Sequence, residues 1–363
     1  MIVRDEAGVI ERCLGSVRGL IDYWVICDTG STDGTQGLVR AALDGLPGEL
    51  LERPWVNFGH NRSEALALAR DKAEYLLLLD ADMTITYNQA ELHDLSADSY
   101  MLRHAEEPGH STKRLIRGDH HWWCVGVTHE YLATNTPDHS ENLEGIVVHH
   151  HADGGTRNDR LERDRRLLLA ELGHEPENTR TVFYLAQTLR DLDRLDEAIK
   201  LYRRRSRMGG WAEEVYYSLF QVGVLADRAG RHDEAVAALF DAWSDRPQRA
   251  EPLYELARIF RESDEYHAAH LVSERGIRIR IPDDVLFVHK WVYEWGLLFE
   301  YSIAAYWAGQ PRAALQACDR LLQMPNLPER YRRQTETNRD YCVNVVRRGQ
   351  SDPKVSSTGS MSR

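Results

Sequence analysis

Residues 75–79, an unbroken apolar run (Tyr-Leu-Leu-Leu-Leu), lead directly into Asp80-Ala81-Asp82. A run this short and continuous predicts a strand buried on both faces, as in a mostly parallel sheet. Ligands of open α/β sheets bind outside the carboxyl ends of the strands, which is where these two carboxylates fall. A hard divalent cation needs oxygen ligands, and Mg²⁺ typically takes one or two carboxylates together with substrate phosphates. A strand followed by Asp-x-Asp therefore suits a metal-diphosphate. An Asp after a strand is also a common turn former, so the motif gains meaning only from its neighbours.

Those neighbours alternate between strand and helix signals. Met1-Ile2-Val3 reads as a strand stub, and residues 6–20 as an amphipathic helix with Ile10, Leu14 and Val17 on one face. Residues 24–27 form a second apolar run that breaks into Asp28-Thr29-Gly30-Ser31-Thr32-Asp33-Gly34-Thr35, and a helix follows to about Leu43. Residues 50–53 read as a third strand, and 63–73 as a helix entering the 75–79 strand. Strand and helix in strict alternation predict a Rossmann-like α/β domain with a mostly parallel sheet, here over 1–156.

Beyond that point the strand signals stop. Ala198, Ala235, Ala269 and Ala314 each follow a similar polar-to-small pattern, at intervals of 37, 34 and 45 residues, and an aromatic-rich helix precedes each. Tetratricopeptide repeats have a period of 34 with small residues where paired helices touch. Residues 157–348 are therefore expected to form an all-α, tetratricopeptide-like array of about four units. Gly209-Gly210-Trp211 opens one repeat and offers a docking point. Residues 349–363, rich in Ser and Gly, read as a disordered tail.

Composition narrows the partners. A net charge of -12 gives no global attraction to nucleic acid or anionic membrane. No stretch approaches the roughly 18–20 apolar residues of a membrane helix, and the first residues carry no signal-peptide core. The five cysteines are scattered, without CxxC spacing, which suits the reducing cytoplasm better than a disulfide framework or zinc knuckle.

The first-strand residues Arg4-Asp5-Glu6, the Asp28–Thr35 turn and the Asp80-Ala81-Asp82 motif, in that order, resemble family 2 glycosyltransferases of the GT-A fold. Fusion to tetratricopeptide-like helices is similar to the subgroup containing the peptide glycosyltransferases of glycocins. The family usually carries several apolar residues ahead of the Met-Ile-Val stretch; here the given chain begins at it, which implies a short first strand or a misassigned start. The resemblance implies that Asp28 recognises the nucleotide base, with Asp5, Glu6, Gly30, Ser31 and Asp33 around it and Arg62 beside the nucleotide. Asp82 is implied as the direct metal ligand, with Asp80 nearer the ribose or a metal-bound water.

Nine of the sixteen histidines lie between His104 and His151. His149-His150-His151 closes an apolar strand run, where relatives often supply a third metal ligand. Strand alternation puts His149 and His151 on one face and His150 on the other. His151 is the expected ligand and His150 its competitor. The family's general base is sought in residues 119–130, where Glu130 is the first choice and Asp119 the alternative. Trp122 and Trp123 would either wall the acceptor site or pack the sheet.

The resemblance thus implies an inverting hexosyltransferase-like enzyme, dependent on Mn²⁺ or Mg²⁺, moving sugar from a UDP-sugar to an acceptor hydroxyl or thiol. A peptide or protein bound by the repeats is the expected acceptor, and self-association of the repeats into a homo-oligomer also fits them. The rival readings are a catalytically inactive sugar-nucleotide-binding scaffold and a nucleotidyltransferase. The latter usually shows a Gly-rich basic loop after its first strand, which residues 3–8 lack.

Overall fold

The computed structural model describes residues 1–105, 110–154 and 160–351. The chain divides into two compact units, Met1–Pro176 and Glu177–Arg363. The boundary expected at 156/157 and the tail residues past 351 lie outside the described residues. Residues 349–351 continue the last helix in the backbone trace.

The first unit begins β1 (Ile2–Val3), α1 (Ile10–Val17), β2 (Trp24–Asp28), α2 (Thr35–Ala42), β3 (Gly48–Glu52), α3 (Phe58–Ala69), β4 (Tyr75–Leu77) and β5 (Met83–Tyr87). It continues β6 (Ser99–His104), β7 (Ser111–Arg117), β8 (Trp122–Val125), β9 (Tyr131–Thr134), β10 (Ser140–His150) and α4 (Arg160–His174). Strands β1-β2-β3 make a parallel sheet. A second sheet runs β4-β7-β6-β10-β5, with β10 and β6 parallel and its other pairs antiparallel. Strands β8 and β9 form a separate antiparallel pair. The result is a mixed, GT-A-like α/β unit.

Helix α1 ties the two sheets together. Its Ile10 and Leu14 pack with Val3, Ile26 and Val39 of the parallel layer, while Cys13 and Val17 pack with Leu79, Ile85, Tyr100 and Val148 of the mixed layer. A helix with four buried residues at i, i+3, i+4 and i+7 has a face broad enough for both contacts.

The second unit is all helical. It comprises α5 (Thr179–Asp191), α6 (Leu195–Ser206), α7 (Ala212–Arg228), α8 (His232–Asp245), α9 (Glu251–Glu262) and α10 (Tyr266–Gly276). Then come α11 (Leu297–Trp307), α12 (Pro311–Leu322) and the long α13 (Glu329–Ser351). Ala198, Ala235, Ala269 and Ala314 each occupy the fourth position of the second helix in a pair, and all four are fully buried. Five residues before each alanine stands a residue with positive φ: Asp193, Gly230, Asp264 and Gly309. After each of these, an N–H reaches back 2.8 Å to a carbonyl of the preceding helix, as from Arg231 to Ala226 and from Gln310 to Ala305. The turn inside every repeat is thus the same left-handed helix cap.

The 45-residue interval has a local cause. An inserted connector between α10 and α11 is held by Arg249, which is 1% exposed. Its guanidinium donates to Glu251, to Asp284 at 3.2 Å and to the Leu286 and Phe287 carbonyls at 3.1 and 3.0 Å. Glu213 accepts from the Val285 and Leu286 amides on the same connector.

Candidate active site

Asp28 ends β2 and is 1% exposed. Its Oδ1 accepts from the Gly30 and Ser31 amides at 3.0 and 2.9 Å and from Gln36 Nε2 at 3.0 Å. Gly30, at φ +107°, supplies the left-handed conformation that folds the turn onto the carboxylate. Burial pushes this carboxyl up, but the hydrogen bonds from Ser31, Gln36 and Gly30 outweigh it and leave the group below its ordinary range. Oδ2 is buried and accepts from nothing among the described residues.

The loop after β1 closes over this turn. Ser31 Oγ accepts from the Asp5 amide at 2.9 Å, and Asp5 Oδ1 accepts from the Thr32 amide at 2.8 Å. Asp33 accepts from the Thr35 amide and hydroxyl with one oxygen and from the Ala7 amide with the other. Glu6 donates its amide to Thr35 Oγ1 at 2.8 Å. Gly30, Ser31 and Asp33 therefore shape the loop, whereas Asp28 keeps an oxygen in reserve. Asp5 itself sits at φ +53°, a conformation uncommon for a residue with a side chain.

Asp80 follows β4 and lies between two arginines. Arg62 of α3 pairs with one oxygen, and Arg114 of β7 approaches the other at 3.4 Å. Burial pushes the Asp80 carboxyl up; Arg62 and then Arg114 overcome it and hold the carboxyl well below the usual carboxylate range. Arg62 also meets Glu130, with Nε 2.5 Å from Oε1. That approach is an ion contact without the alignment of a hydrogen bond, so among the described residues the buried Nε–H has no in-line acceptor.

Arg62 and Glu130 meet because α3 starts against the segment after β8. Asn57 caps the helix by accepting from the His60 amide at 2.8 Å, and Phe58 donates its amide to the Val127 carbonyl. A Cβ on Gly59 would lie 2.1 Å from the Gly126 carbonyl oxygen, so only glycine allows this approach. Gly59→Ala is expected to cost about 1–3 kcal/mol of stability, the usual range for overpacking. A denaturation midpoint unchanged from wild type would show that the contact yields. Next to this contact, burial pushes the Cys124 thiol up to about 11, which disfavours the thiolate near neutral pH.

Asp82 turns the other way. Its Oδ2 lies 3.2 Å from His150 Nε2, and its backbone carbonyl accepts from the His151 amide at 3.0 Å. His149 and His151 share the opposite face, where their rings meet the Thr86 and Thr84 hydroxyls at 3.2 and 2.9 Å. The alternation expected of the triplet is present, and it brings His150 to Asp82 while His151 faces Thr84. A Cβ on Gly154 would lie 3.2 Å from Glu6 Oε2 and 3.4 Å from Asp82 Oδ2, so these two carboxylates flank one backbone position. Arg12 of α1 pins that stretch through a two-pronged pair with Asp153, at 2.9 and 2.6 Å. The loop after β1 thus meets the Asp28 turn through Asp5 and, through Glu6, borders the same backbone position, Gly154, that Asp82 borders.

Among the described residues, no three His, Cys, Asp or Glu side chains converge as a ready-made metal cage. Asp82 and Glu6 flank one backbone position and His150 meets Asp82; a Mg²⁺- or Mn²⁺-like ion delivered with a diphosphate asks the protein for only one or two carboxylates. Asp80, neutralised by two guanidiniums, is not offered in the same way.

The remaining expectations fall elsewhere. Asp119 is held by Arg117 at 3.0 and 2.6 Å, beside the Tyr75 end of the β4–β7 ladder and away from Asp80. Trp122 is buried with Leu66 and Ile116, its indole donating to the Arg117 carbonyl; it packs the sheet. Trp123 is half-buried against His121. Arg114, Gln36 and Gly154 were not anticipated. Of these, only Arg114 left a trace, as a charge at the start of the buried pair Leu115-Ile116.

Residues 1–93, which lie within the first unit, match the family described as glycosyl transferase family 2. The SPbeta prophage-derived glycosyltransferase SunS of Bacillus subtilis is 27% identical over 223 residues, covering 56% of this chain and 51% of SunS. A TPR repeat-containing protein of Synechococcus elongatus is 40% identical over 83 residues, 23% of this chain and 19% of its own. The chain therefore spans about half of SunS and a smaller part of the Synechococcus protein. Among solved structures, MamA has 19% identity and a TM-score of 0.37 over 46% of this chain and 85% of MamA. YrrB, described as a TPR protein with an unusual peptide-binding site, has 9% identity and a TM-score of 0.36 over 52% of this chain and 84% of its own. Among the described residues, no helix is long and apolar enough to cross a membrane.

Proposed function

We propose that the first unit transfers a sugar, with inversion, from a nucleoside diphosphate sugar to an acceptor hydroxyl or thiol. The single observation that carries this reading is Asp28, whose Oδ2 is buried without a partner at the tip of a strand. A buried acceptor left open is costly unless a ligand fills it, and a base N–H such as that of uracil does so. A UDP-sugar is accordingly the first donor to test.

Asp82, with Glu6 and His150 beside it, would hold Mn²⁺ or Mg²⁺ arriving with the donor. When bound, such an ion neutralises charge on the departing diphosphate. Glu130 takes the proton of the acceptor as the acceptor's oxygen or sulfur bonds to the anomeric carbon. The bond from that carbon to the diphosphate breaks on the opposite side. Arg62 sets the position of Glu130 and, through Asp80, ties it to the donor end of β4. The repeats are proposed to bind a peptide or protein acceptor, because stacked helix pairs present an extended concave surface. Trp211, 45% exposed just before α7, is an apolar anchor on that unit.

Asp28→Ala is expected to weaken UDP binding about 10- to 100-fold, the loss of a charge-assisted hydrogen bond worth ~1.5–3 kcal/mol. Calorimetric titration with UDP and Mn²⁺ reads it directly, and an unaltered Kd would remove Asp28 from the nucleotide site. Thermal shifts with UDP-, GDP- and dTDP-sugars identify the donor. Slow release of UDP without acceptor separates a working transferase from an inactive sugar-nucleotide binder.

A further inference from the structure

Helix α6 of the second unit carries a basic stripe. Lys200, Arg203, Arg204 and, at its C-cap, Arg207 fall at i, i+3, i+4 and i+7, the spacing of one helix face. Together with Arg231, which stands just before α8, they line an open groove of about 610 Å³. Ile199 and Met208 add apolar surface to it. In a chain whose net charge is -12, this gathering of cations runs against the composition.

The cations are only partly neutralised. Arg203 meets Glu234 at 2.6 Å, Arg204 meets Glu177 at 3.4 Å and Arg231 meets Asp196 at 2.9 Å. The Glu177 and Asp196 side chains are 86% and 87% exposed, so those two pairs sit in water and contribute little. Among the described residues, Lys200 and Arg207 have no acidic partner, and the buried Nε and Nη2 of Arg231 have no aligned hydrogen-bond acceptor. Like charges three and four positions apart destabilise a helix. The negative end of the helix dipole favours the arginines of the last turn of α6, but it does not reach Lys200. Arg231 stands at the positive end of α8, where the dipole opposes it.

The separation of the charges selects the ligand. Lys200 and Arg207 stand roughly 10 Å apart along the helix at 1.5 Å per residue, and Arg231 belongs to the next helix pair. Charges spread in this way do not converge on one phosphate. They match carboxylates spaced along a peptide, which arginine clusters recognise through charge-assisted hydrogen bonds. We propose that this groove binds an acidic peptide segment of a partner protein, its carboxylates meeting Lys200, Arg207 and Arg231 and an apolar side chain lying against Ile199 and Met208. The groove lies wholly in the second unit, and the inference stands apart from the reaction proposed for the first.

Fluorescence anisotropy with the full chain tests it, using labelled Glu-Ser-Glu-Ile-Glu-Ser-Glu and the same peptide with Lys in place of each Glu. The acidic peptide is expected to bind saturably and the lysine peptide not to bind. Lys200→Glu combined with Arg207→Glu is expected to weaken binding about tenfold or more, because two attractions become repulsions. Lys200→Gln with Arg207→Gln removes charge alone and should weaken it about threefold. Both positions are exposed, so neither pair of substitutions disturbs the core. Arg320→Glu, exposed on α12, should leave the affinity unchanged. An equal loss in Arg320→Glu would reduce the effect to overall charge and overturn the proposal, as would the absence of saturable binding to the unaltered chain. Displacement of the peptide by an equal concentration of inorganic pyrophosphate would assign the groove to a phosphate. Tighter binding to phosphatidylserine vesicles than to the peptide, lost in the same variants, would assign it to a lipid surface. Either result would overturn the proposal.

Discussion

Replacing Arg62 by Met is expected to destabilise the first unit by about 2–3 kcal/mol, somewhat below the 3–5 of a fully buried pair because the guanidinium keeps some exposure. The reason lies in what remains. Methionine fills much of the same volume, but Asp80 keeps only the longer Arg114 contact and Glu130 loses the cation beside it. The pH dependence gives the sharper test. Asp80 is held below the usual carboxylate range in the folded protein, so it contributes stability that is fully present above the unfolded pKa of about 4 and is lost as pH falls through the lower folded value. Arg62→Met gives up part of that contribution. Its deficit in urea titrations should be largest near neutral pH and shrink below about pH 4. A deficit that stays constant down to pH 3 would mean that Arg62 acts through packing rather than through Asp80.

How far this arrangement could be read from residues alone depends on the range of the contact. The apolar runs ending in Asp28 and Asp80 announce strands, but the expected burial on both faces holds only over Ile26–Asp28, whereas Tyr75–Leu77 are half-buried at the edge of a sheet; uninterrupted hydrophobicity locates a strand without fixing its depth. It does not report the direction of the neighbours, and β4 proves to be laddered to the antiparallel β7. The four buried alanines are legible because a repeat writes the same local requirement several times. The left-handed caps five residues earlier carry a weaker signal, since Asp takes two of those positions and Gly the other two. His150 and His151 could be separated into faces by alternation, but which face meets Asp82 is decided by the pairing of His150 with Met83, a contact 67 residues apart in sequence. The Arg62–Glu130 contact is harder still. It requires Gly59 to admit the Gly126 carbonyl, and nothing local to either glycine announces the other.

Glu130→Gln tests the chemistry that this contact would serve, and it is expected to lower the rate of transfer 10²–10⁴-fold, the usual contribution of a positioned general base. Gln keeps the shape and an oxygen near Arg62 but cannot take the acceptor's proton. Donor binding should therefore be nearly unchanged, and the loss should fall on kcat rather than KM, as for a group that acts mainly in the transition state. Release of UDP from a UDP-sugar in Mn²⁺, with water as acceptor, allows the comparison before the natural acceptor is identified. Asp119→Asn serves as the control, because Asp119 is bound by Arg117 at the Tyr75 end of the ladder, and it should leave the rate close to wild type. Were Asp119→Asn the slow variant and Glu130→Gln the normal one, the base would have to reach the site by a rearrangement of β7 and β8, and the role assigned to Arg62 would fall with Glu130. A loss of rate in Glu130→Gln accompanied by an equal loss of UDP affinity would instead make Glu130 a positioning partner of Arg62 in the donor site. Only a fall in kcat with donor affinity retained assigns the proton transfer to Glu130.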